Sequence, residues 1–473
     1  MKIAFVHYHL KTGGVTTCLK HQVEALKNDC DMCVITGEMA KTDFPAAMIH
    51  IPQLAYSADY PHAFEPEEVA EQMVRSIESH FNGPCDIVHV HNPILAKNKK
   101  FLKILKVLQE RGLSLFLQIH DFAEDGRPQS YFSEDYPADC HYSVVNSRDY
   151  RILLKSGLKK QGLHQIFNTV YRPDNPQPSA ISGEGPYVVY PIRALRRKNI
   201  GEAILLSFFF RDKETLVITL PPNSQADIDS YADWKAFVSD YQLRIEFDWG
   251  LNHPYEAIVA SARYLLTTSI TEGFGFSFLE PWLFDKMVWG RKLSDICTDF
   301  ETNGVSFSHM YTDLSVPVNW FEVDNFYKKW KRTIQRTADL FEFVIDNAEI
   351  ENIFASLTAG GTIDFGLLDE AFQKQVIGRL VTQNTPAHVD ELLSLNPGLS
   401  EVGSAAGEKD LIAANRNAVE RSYNMAQYRQ KLLAVYAHVA PTSIRQRINK
   451  KTLLAEFMDL TKFSLLKWGD YGA

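Results

Sequence analysis

The sequence lacks the features that mark several classes of protein. Lys and Arg number 49 against 58 Asp and Glu, and the formal net charge of -9 leaves no basic excess of the kind expected for a nucleic-acid partner. No apolar run reaches the roughly 18 residues that predict a membrane span. The first residues, MKIAFVHYHLKTGG, contain neither a long apolar stretch nor a small-residue cleavage site, which argues against a secretory signal.

Cysteine is also scarce. The 473 residues contain 6 cysteines, too few and too scattered for a disulfide framework. Cys30 and Cys33 have the spacing of a redox or zinc pair, but no second pair follows at zinc-ribbon spacing. Because both begin the apolar run CDMCVIT, we expect buried strand thiols and a reducing, cytoplasmic location.

Short apolar runs alternate with helical patterns, which is typical of α/β folds built on parallel sheets. Strands are predicted at 2–8, 30–36, 86–91, 114–120, 142–147 and 163–168, and again at 186–192, 215–220, 244–249 and 262–269. Helices are predicted at 15–27, 65–81 and 94–110. Between the two sets, RPDNPQPSAISGEG (172–185) has the composition of a linker. We therefore expect two Rossmann-like domains facing a cleft.

The predicted domain boundaries follow from this pattern. An N-terminal Rossmann-like domain covers 1–175, and a second covers 186–440 with a helical insertion at about 320–407. One long amphipathic helix is predicted over 408–439, broken near Asn424. The apolar tail, 441–473, is predicted to be helical and to dock back on the protein.

Ligands of open α/β sheets bind beyond the carboxyl ends of the strands, and candidate side chains follow several predicted strands. Gly13 and Gly14 lie between the first strand and its helix, where free N–H groups can receive an anion, although a plain tight turn has the same signature. His89 and His91 are two apart on a strand and share a face. With His7, His9 and Asp121 this arrangement also permits a metal-hydrolase interpretation, whereas histidines in hydrogen-bonded cores are commoner.

In the second half, two cations and two carboxylates follow neighbouring strands. Arg193 ends PYVVYPIR, and Lys198 follows it in RALRRKN. Glu272 and Glu280 bracket a Gly-Phe-Gly turn in TEGFGFSFLE, ahead of a helix predicted at 276–284. A diphosphate would be stabilised there by the cations and the helix amides. A solvated basic turn is the alternative for 193–198 alone.

These residues resemble those of the retaining glycosyltransferases of family 4, which have two Rossmann-like domains (the GT-B fold). The most specific element is EGFGFSFLE (272–280), which matches the family's Glu-x7-Glu motif, and Arg193 with Lys198 matches its Arg-x4-Lys pair. Gly13-Gly14, His91, His120-Asp121 and Asn146-Ser147 stand where the other family signatures stand. The resemblance covers 1–310, and 408–440 more loosely.

The resemblance implies a role for each matching donor-site residue. Glu280 would accept hydrogen bonds from the ribose hydroxyls, and Glu272, with backbone amides of the turn, would hold the sugar. Arg193 and Lys198 would bind the diphosphate in place of a metal ion, so no metal and no cofactor beyond the UDP- or GDP-sugar is expected. His120 would lie beside the transferred sugar. The turn residues that contact the donor would be Phe274, Gly275 and Phe276. Gly14 would contact the diphosphate or the acceptor.

The acceptor side is less specific. HYHLKTGGVTT and QIHDFAEDGRP resemble members that build mannosyl- or glucosyl-glycerate solutes, so a small polar acceptor, in particular a glycerate or glucosylglycerate-like anion, is predicted. Its binding residues are predicted to be Lys11, Gly13, His91, Asn92, Asp121, Arg127 and Arg148. Surface salt bridges are the alternative for each cation. Asp285 and Met287 replace a glycine and a proline of the family pattern, so a reshaped base pocket and following turn are expected.

Other functions remain open at this point. The acceptor would instead be a membrane or cell-surface glycan if AKNKKFLKILKVL (96–108) lay on anionic lipid, although a helix with a lysine-rich solvent face is favoured. A metal-dependent hydrolase built on His89 and His91, and a non-catalytic binding module, are further alternatives. No nucleic-acid partner is expected, and the sequence does not indicate the oligomeric state.

Overall fold

The computed structural model describes residues 1–11, 13–39, 44–172, 181, 185–211, 213–382 and 385–469. The chain forms two compact units, the first comprising Met1–Val170 and Ser422–Met458 and the second comprising Tyr171–Arg421 and Asp459–Ala473. Most of the predicted linker, including its boundary at 175, lies outside the described residues. Among the described helices, none is long and apolar enough to cross a membrane.

The first unit is built on a parallel sheet of 7 strands in the order β3-β2-β1-β4-β5-β6-β7. Its strands are β1 (Lys2–His7), β2 (Asp31–Thr36), β3 (Ala47–His50), β4 (Ile87–His91), β5 (Leu115–Ile119), β6 (His141–Val144) and β7 (Leu163–Gln165). Its first helices are α1 (Gly14–Leu26), α2 (Pro66–Phe81), α3 (Phe101–Glu110) and α4 (Ser147–Lys155). Apolar clusters cover both faces of the sheet, which is why its central strands appear in the sequence as continuous apolar runs.

The second unit has a parallel sheet of 5 strands in the order β10-β9-β8-β11-β12. Its strands are β8 (Tyr187–Arg193), β9 (Thr215–Leu220), β10 (Ile245–Phe247), β11 (Ala262–Thr267) and β12 (Val288–Gly290). The helices of this part are α5 (Ile200–Leu206), α6 (Gln225–Asp240), α7 (Tyr255–Ser261), α8 (Glu280–Leu283) and α9 (Ser294–Thr302). The first strand of this unit, β8, is central, so the loops after β8 and β11 are neighbours at the carboxyl edge.

The helical segment after β12 also contains a small antiparallel pair of strands, β13 (Ser315–Pro317) and β14 (Thr362–Asp364). Its helices are α10 (Val323–Leu340), α11 (Asn347–Thr358), α12 (Glu370–Thr382), α13 (Thr385–Leu395) and α14 (Glu408–Ser422). The sequence pattern predicts a helical insertion here but not the strand pair.

The C-terminal part contains three helices, α15 (Met425–Val439), α16 (Lys450–Phe457) and α17 (Leu465–Trp468). The first two belong to the first unit and α17 belongs to the second. Asn424 breaks the predicted long helix, and its side chain caps α15 by accepting a 2.9 Å hydrogen bond from the Gln427 amide. The second domain was predicted to extend to residue 440, whereas the chain from Ser422 to Met458 belongs to the first unit. Leu432 and Tyr436 of α15 pack in the same apolar cluster as Phe5 and Leu19, so this helix belongs to the first unit.

Two further elements differ from the sequence prediction. Strand β3 was not predicted, because its edge position leaves AMIH partly exposed and without a continuous apolar run. The helix predicted from residue 94 begins at Phe101, because Asn98 turns the chain: its amide donates to the Gln53 and Ala55 carbonyls at 2.7 and 2.8 Å.

Candidate functional site

The loops after β8 and β11 are joined by hydrogen bonds at the carboxyl edge of the second sheet. The Ile270 amide donates to the Arg197 carbonyl at 3.0 Å, and the Tyr190 hydroxyl donates to the Lys198 carbonyl at 2.7 Å. Thr268 donates to the Asn199 carbonyl at 2.9 Å. These bonds hold the predicted basic loop against the predicted glutamate loop.

Glu272 lies between two cations. The Lys198 ammonium donates a short hydrogen bond to Oε1, and Nη1 of Arg197 is 3.9 Å from Oε2. Burial alone would raise the pKa of Glu272, but Lys198 and then Arg197 outweigh it, so the pKa lies below its ordinary value. Glu272 is therefore ionised at neutral pH. Arg197 was not among the predicted site residues, although its place in the run RALRRKN was a signal.

Arg193 is at the last position of β8, half-buried, and its Nη1 donates to the Pro221 carbonyl at 3.0 Å. The structure therefore brings it to the same sheet edge as Lys198. The neighbouring Arg196 points elsewhere, because its guanidinium is paired with Glu370 of α12.

The Gly-Phe-Gly turn is specified by packing beneath it. Phe274 and Phe278 both lie against Phe300, with ring centroids 5.5 and 6.4 Å apart. Gly275 has φ of 91°, and a Cβ there would come within 2.9 Å of the Phe278 ring, so only glycine fits. Phe276 lies edge-on to Phe274 at 5.1 Å.

Glu280 differs from Glu272 in its surroundings. The predicted helix at 276–284 is a 3-10 turn (Phe276–Phe278) followed by the short α8, so Glu280 is the first residue of a helix and does not lie a turn inside one. The Tyr255 hydroxyl donates to its Oε2 at 3.1 Å. Burial raises the pKa of Glu280 to about 7, partly offset by Tyr255, so this carboxyl is half-protonated near neutral pH.

Asp285 and Met287 are the two positions after Glu280 where the sequence differs from the resembled pattern. Asp285 has φ of 54°, the left-handed region that glycine occupies at no cost, and its carboxylate is paired with Arg416. Met287 is fully buried. The backbone at Asp285 is thus one that favours glycine.

In the first unit, the predicted residues after β4 and β5 form one network. Asn92 has φ of 52°, and its Oδ1 accepts hydrogen bonds from the amides of His120 (2.8 Å) and Asp121 (3.1 Å). His91 Nδ1 is 2.9 Å from Nε2 of His120. Arg127 donates to Oδ1 of Asp121 at 2.7 Å.

Burial keeps the histidines of this network neutral. It lowers the pKa of His120 to about 4, although Asp121 partly offsets it, and it lowers the pKa of His7 to about 3. Nε2 of His91 is buried without a hydrogen-bond partner among the described residues. A neutral His120 can donate to, or accept from, a sugar hydroxyl.

The remaining predicted acceptor residues are held by carboxylates. Lys11 lies 2.9 Å from Glu38 and 3.6 Å from Asp59. Arg148 donates to Asp149 at 2.8 Å and lies 3.8 Å from Asp125. Gly13 directly precedes α1, which begins at Gly14. Gly13 has an extended backbone and open space around it, so its conformation does not require glycine.

Lys97 is a further site candidate, although the sequence pattern predicts it to lie on a helix with a solvent-facing lysine-rich face. Its ammonium lies 5.9 Å from the centroid of the Tyr56 ring, and among the described residues it forms no ion pair within 4 Å. Burial and repulsion from Arg127 lower the pKa of Lys97, while Asp121 raises it. The signal in the sequence was its position shortly after the carboxyl end of β4.

The structure contradicts the metal-hydrolase interpretation of His89. Both ring nitrogens are engaged, with Nδ1 2.7 Å from the Tyr436 hydroxyl and Nε2 2.9 Å from Oε1 of Gln118. Cys18 does lie with His91 and His120, one ligand atom of each within 4.8 Å of the others. Burial raises the pKa of the Cys18 thiol to about 12, so it is protonated.

Sequence and structure comparisons agree on one kind of enzyme. No protein-family model matches the chain. It is 25% identical over 380 residues to mannosylglucosyl-3-phosphoglycerate synthase of Petrotoga mobilis, covering 70% of this chain and 72% of that enzyme.

Similar solved structures include a sucrose-phosphate synthase of Thermosynechococcus elongatus (TM-score 0.53, 12% identity, covering 92% of this chain and 98% of that one). A glycosyltransferase of Rickettsia africae has a TM-score of 0.52 and 11% identity, covering 93% of this chain and 98% of that one. HepE of Anabaena with UDP-glucose has a TM-score of 0.51 and 12% identity, covering 92% of this chain and 99% of that one. The sequence relative and these neighbours are glycosyltransferases, and this chain is a glycosyltransferase with the GT-B fold.

Proposed function

We propose that this glycosyltransferase moves a hexosyl group from a UDP- or GDP-sugar to a hydroxyl of a small acceptor that carries a carboxylate or phosphate. The product is an α-glycoside, and the anomeric configuration of the donor is retained. The name of the Petrotoga mobilis relative contains a phosphoglycerate, and a HepE structure contains UDP-glucose, which supports both halves of the proposal.

The observation that carries the donor half is the contact of Lys198 with Glu272. It joins a cation and a carboxylate at the carboxyl edge of a parallel sheet, where nucleotides bind in such folds. A diphosphate would take over the Lys198 ammonium, and Glu272 would turn its freed oxygen to sugar hydroxyls. Glu280 would accept hydrogen bonds from the ribose hydroxyls.

The proposed reaction needs positive charge where the leaving diphosphate develops negative charge. Lys198 and Arg193 would stabilise that charge as the bond from sugar C1 to the phosphate oxygen breaks. The acceptor oxygen attacks C1 on the same face, and the departing phosphate oxygen takes the acceptor proton. Since these two cations perform the neutralisation, we propose that transfer requires no metal ion.

The acceptor half rests on the charges around Asp121. Lys97 and Arg127 repel each other, and Asp121 is the carboxylate that acts between them. An additional anion beside Lys97 would offset this repulsion by attracting the ammonium. A carboxylate or phosphate on the acceptor fits that requirement, and a neutral acceptor does not.

The structure does not favour the membrane acceptor. The apolar residues of α3 on which that interpretation depended pack in the core of the first unit, while Lys103 is exposed; the buried ones are Phe101, Leu102, Ile104, Leu105 and Leu108. This is the arrangement of a Rossmann helix with a solvated basic face.

The test is a donor and acceptor screen. Thermal shift with UDP- and GDP-sugars should give a concentration-dependent rise in Tm for one nucleotide class. Turnover with glycerate-type acceptors should then continue in EDTA, and the coupling constant of the anomeric proton should report an α-product. Absence of binding to every nucleotide sugar, or transfer only to neutral acceptors, would refute the corresponding half.

A further inference from the structure

A second group of histidines lies in the first unit, apart from the network of His91 and His120. His141 is the first residue of β6, His164 is in β7, and His438 is in the last turn of α15. One ring nitrogen of each lies within 4.8 Å of the others. Nδ1 of His141 and Nε2 of His164 are only 3.0 Å apart.

Hydrogen bonds from two of these rings to backbone carbonyls show which ring nitrogens carry hydrogen and which carry lone pairs. Nε2 of His141 is 2.9 Å from the Thr442 carbonyl, and Nε2 of His438 is 3.0 Å from the Gln161 carbonyl. A carbonyl only accepts, so both Nε2 atoms carry hydrogen in the neutral rings and both Nδ1 atoms carry lone pairs. Histidine ligands of metals characteristically donate their second N–H to a backbone carbonyl in this way.

Two of the three rings, those of His141 and His164, are in the protonation state that a metal requires. Burial lowers the pKa of His141, and burial together with repulsion from His141 and His438 lowers the pKa of His164 to about 3. Neutral rings bind a cation without first losing a proton.

We propose that His141, His164 and His438 bind a zinc ion, with water as the fourth ligand. His141 and His438 would bind through Nδ1. His164 would bind through Nε2 after its proton moves to Nδ1. Three neutral imidazoles and a water form an established four-coordinate zinc set.

The ring of His438 has to move toward the other two before all three nitrogens can contact one ion. Zn–N bonds of about 2.0–2.1 Å place tetrahedral ligand nitrogens roughly 3.4 Å apart. The His141–His164 pair, at 3.0 Å, is already near that spacing. His438 is exposed and can move toward them, whereas the positive charge of Lys431, which also lowers the pKa of His164, opposes binding.

The proposed ion would join α15 to the edge of the first sheet, because β7 is the edge strand and β6 its neighbour. His141 is at the amino end of β6, opposite the carboxyl edge that holds His120. The ion would therefore stabilise the return of the C-terminal chain to this unit, and it is independent of the proposed glycosyl transfer.

The test uses untagged, EDTA-treated protein and ZnCl2 in calorimetry at pH 7.5. We expect one ion per chain and a Tm that rises with zinc concentration. His164→Ala and His438→Ala should each weaken binding at least about tenfold, as loss of one of three ligands does. His62→Ala changes an exposed histidine outside the group and should leave binding unchanged.

Cobalt separates this group from Cys18, His91 and His120. Bound Co²⁺ should show d–d bands without a thiolate charge-transfer band, and Cys18→Ala should bind zinc as the wild type does. Unchanged binding in His164→Ala and His438→Ala, a thiolate band, or no stoichiometric binding would each overturn the proposal.

Discussion

The hydroxyl of Tyr255 donates a 3.1 Å hydrogen bond to Oε2 of Glu280, and this bond joins α7 to the first residue of α8. Among the described residues, this hydrogen bond partly offsets the burial of the carboxyl, whose pKa burial raises to about 7. The titration of Glu280 therefore falls in the range where an enzyme assay is practical.

Glu280 should make both stability and donor binding depend on pH. The folded pKa is above the ordinary value of 4.5, so the protonated carboxyl contributes stability that is full below pH 4.5 and lost as pH rises through about 7. Relative to Glu280→Gln, the wild type should lose up to about 3 kcal/mol over that range. Urea unfolding at a series of pH values measures this difference, and a constant difference would contradict it.

Donor affinity should change in the opposite sense, because the ionised carboxylate is the better acceptor for ribose hydroxyls. The Kd for the nucleotide sugar should fall as pH rises through about 7 in the wild type and stay flat in Glu280→Gln. In Tyr255→Phe the midpoint should move to higher pH, since the offsetting hydrogen bond is lost. Calorimetric titrations from pH 6 to 8 check all three proteins.

Lys198→Ala should impair both catalysis and folding. Turnover should fall about 10²–10³-fold because the leaving diphosphate loses a cation. The free energy of unfolding should fall by roughly 3 kcal/mol, because Glu272, 9% exposed, loses its direct partner. Lys235→Ala is the matched control: its partner Asp248 is 2.7 Å away on the surface, and less than about 1 kcal/mol should be lost. Full turnover in Lys198→Ala would exclude the leaving-group role.

Lys97→Ala should raise KM for an anionic acceptor about tenfold, equivalent to about 1.4 kcal/mol, with kcat nearly unchanged. The reason is the loss of a cation that, among the described residues, has no carboxylate partner within 4 Å. Lys103→Ala, on the exposed face of α3, should leave KM unchanged. Equal effects of Lys97→Ala on charged and neutral acceptors would show that the ammonium does not bind the anion.

Substitutions of Asn92 should separate its side-chain oxygen from its backbone conformation. Asn92→Gly keeps φ near 52° accessible but leaves the amides of His120 and Asp121 without their acceptor, at about 1–3 kcal/mol. Asn92→Ala adds left-handed strain of about 1–2 kcal/mol. Both should reduce kcat, and unfolding should rank wild type above Gly above Ala. If Asn92→Gly matched the wild type in kcat, the oxygen would not position His120.

Much of the fold could be predicted because parallel strands covered on both faces appear as apolar runs. TLVITL coincides with β9 (Thr215–Leu220), and the helix break at Asn424 is where a capping side chain stands in the sequence. Edge strand β3 was missed because it is partly exposed. The membership of α15 was missed because Tyr436 and Leu432 pack on residues more than 400 positions earlier, such as Phe5 and Leu19.

The candidate site likewise has a part that the sequence predicts and a part that it does not. Side chains that follow β4, β5, β8 and β11 could be located from the strand pattern alone. Their pairing could not, because it depends on which loops become neighbours. Arg196 is paired with Glu370, 174 residues away, while Lys198, two residues on, contacts Glu272.

The sequence by itself determined that two chemically identical carboxylates bracket Gly275. Only the tertiary structure decided that they differ in protonation. Lys198 reaches Glu272 from a loop 74 residues earlier and lowers its pKa, whereas Glu280 is buried beside a neutral tyrosine and its pKa rises. The physical reason is that a charge is stabilised by a neighbouring opposite charge and destabilised by the loss of water, and folding sets both.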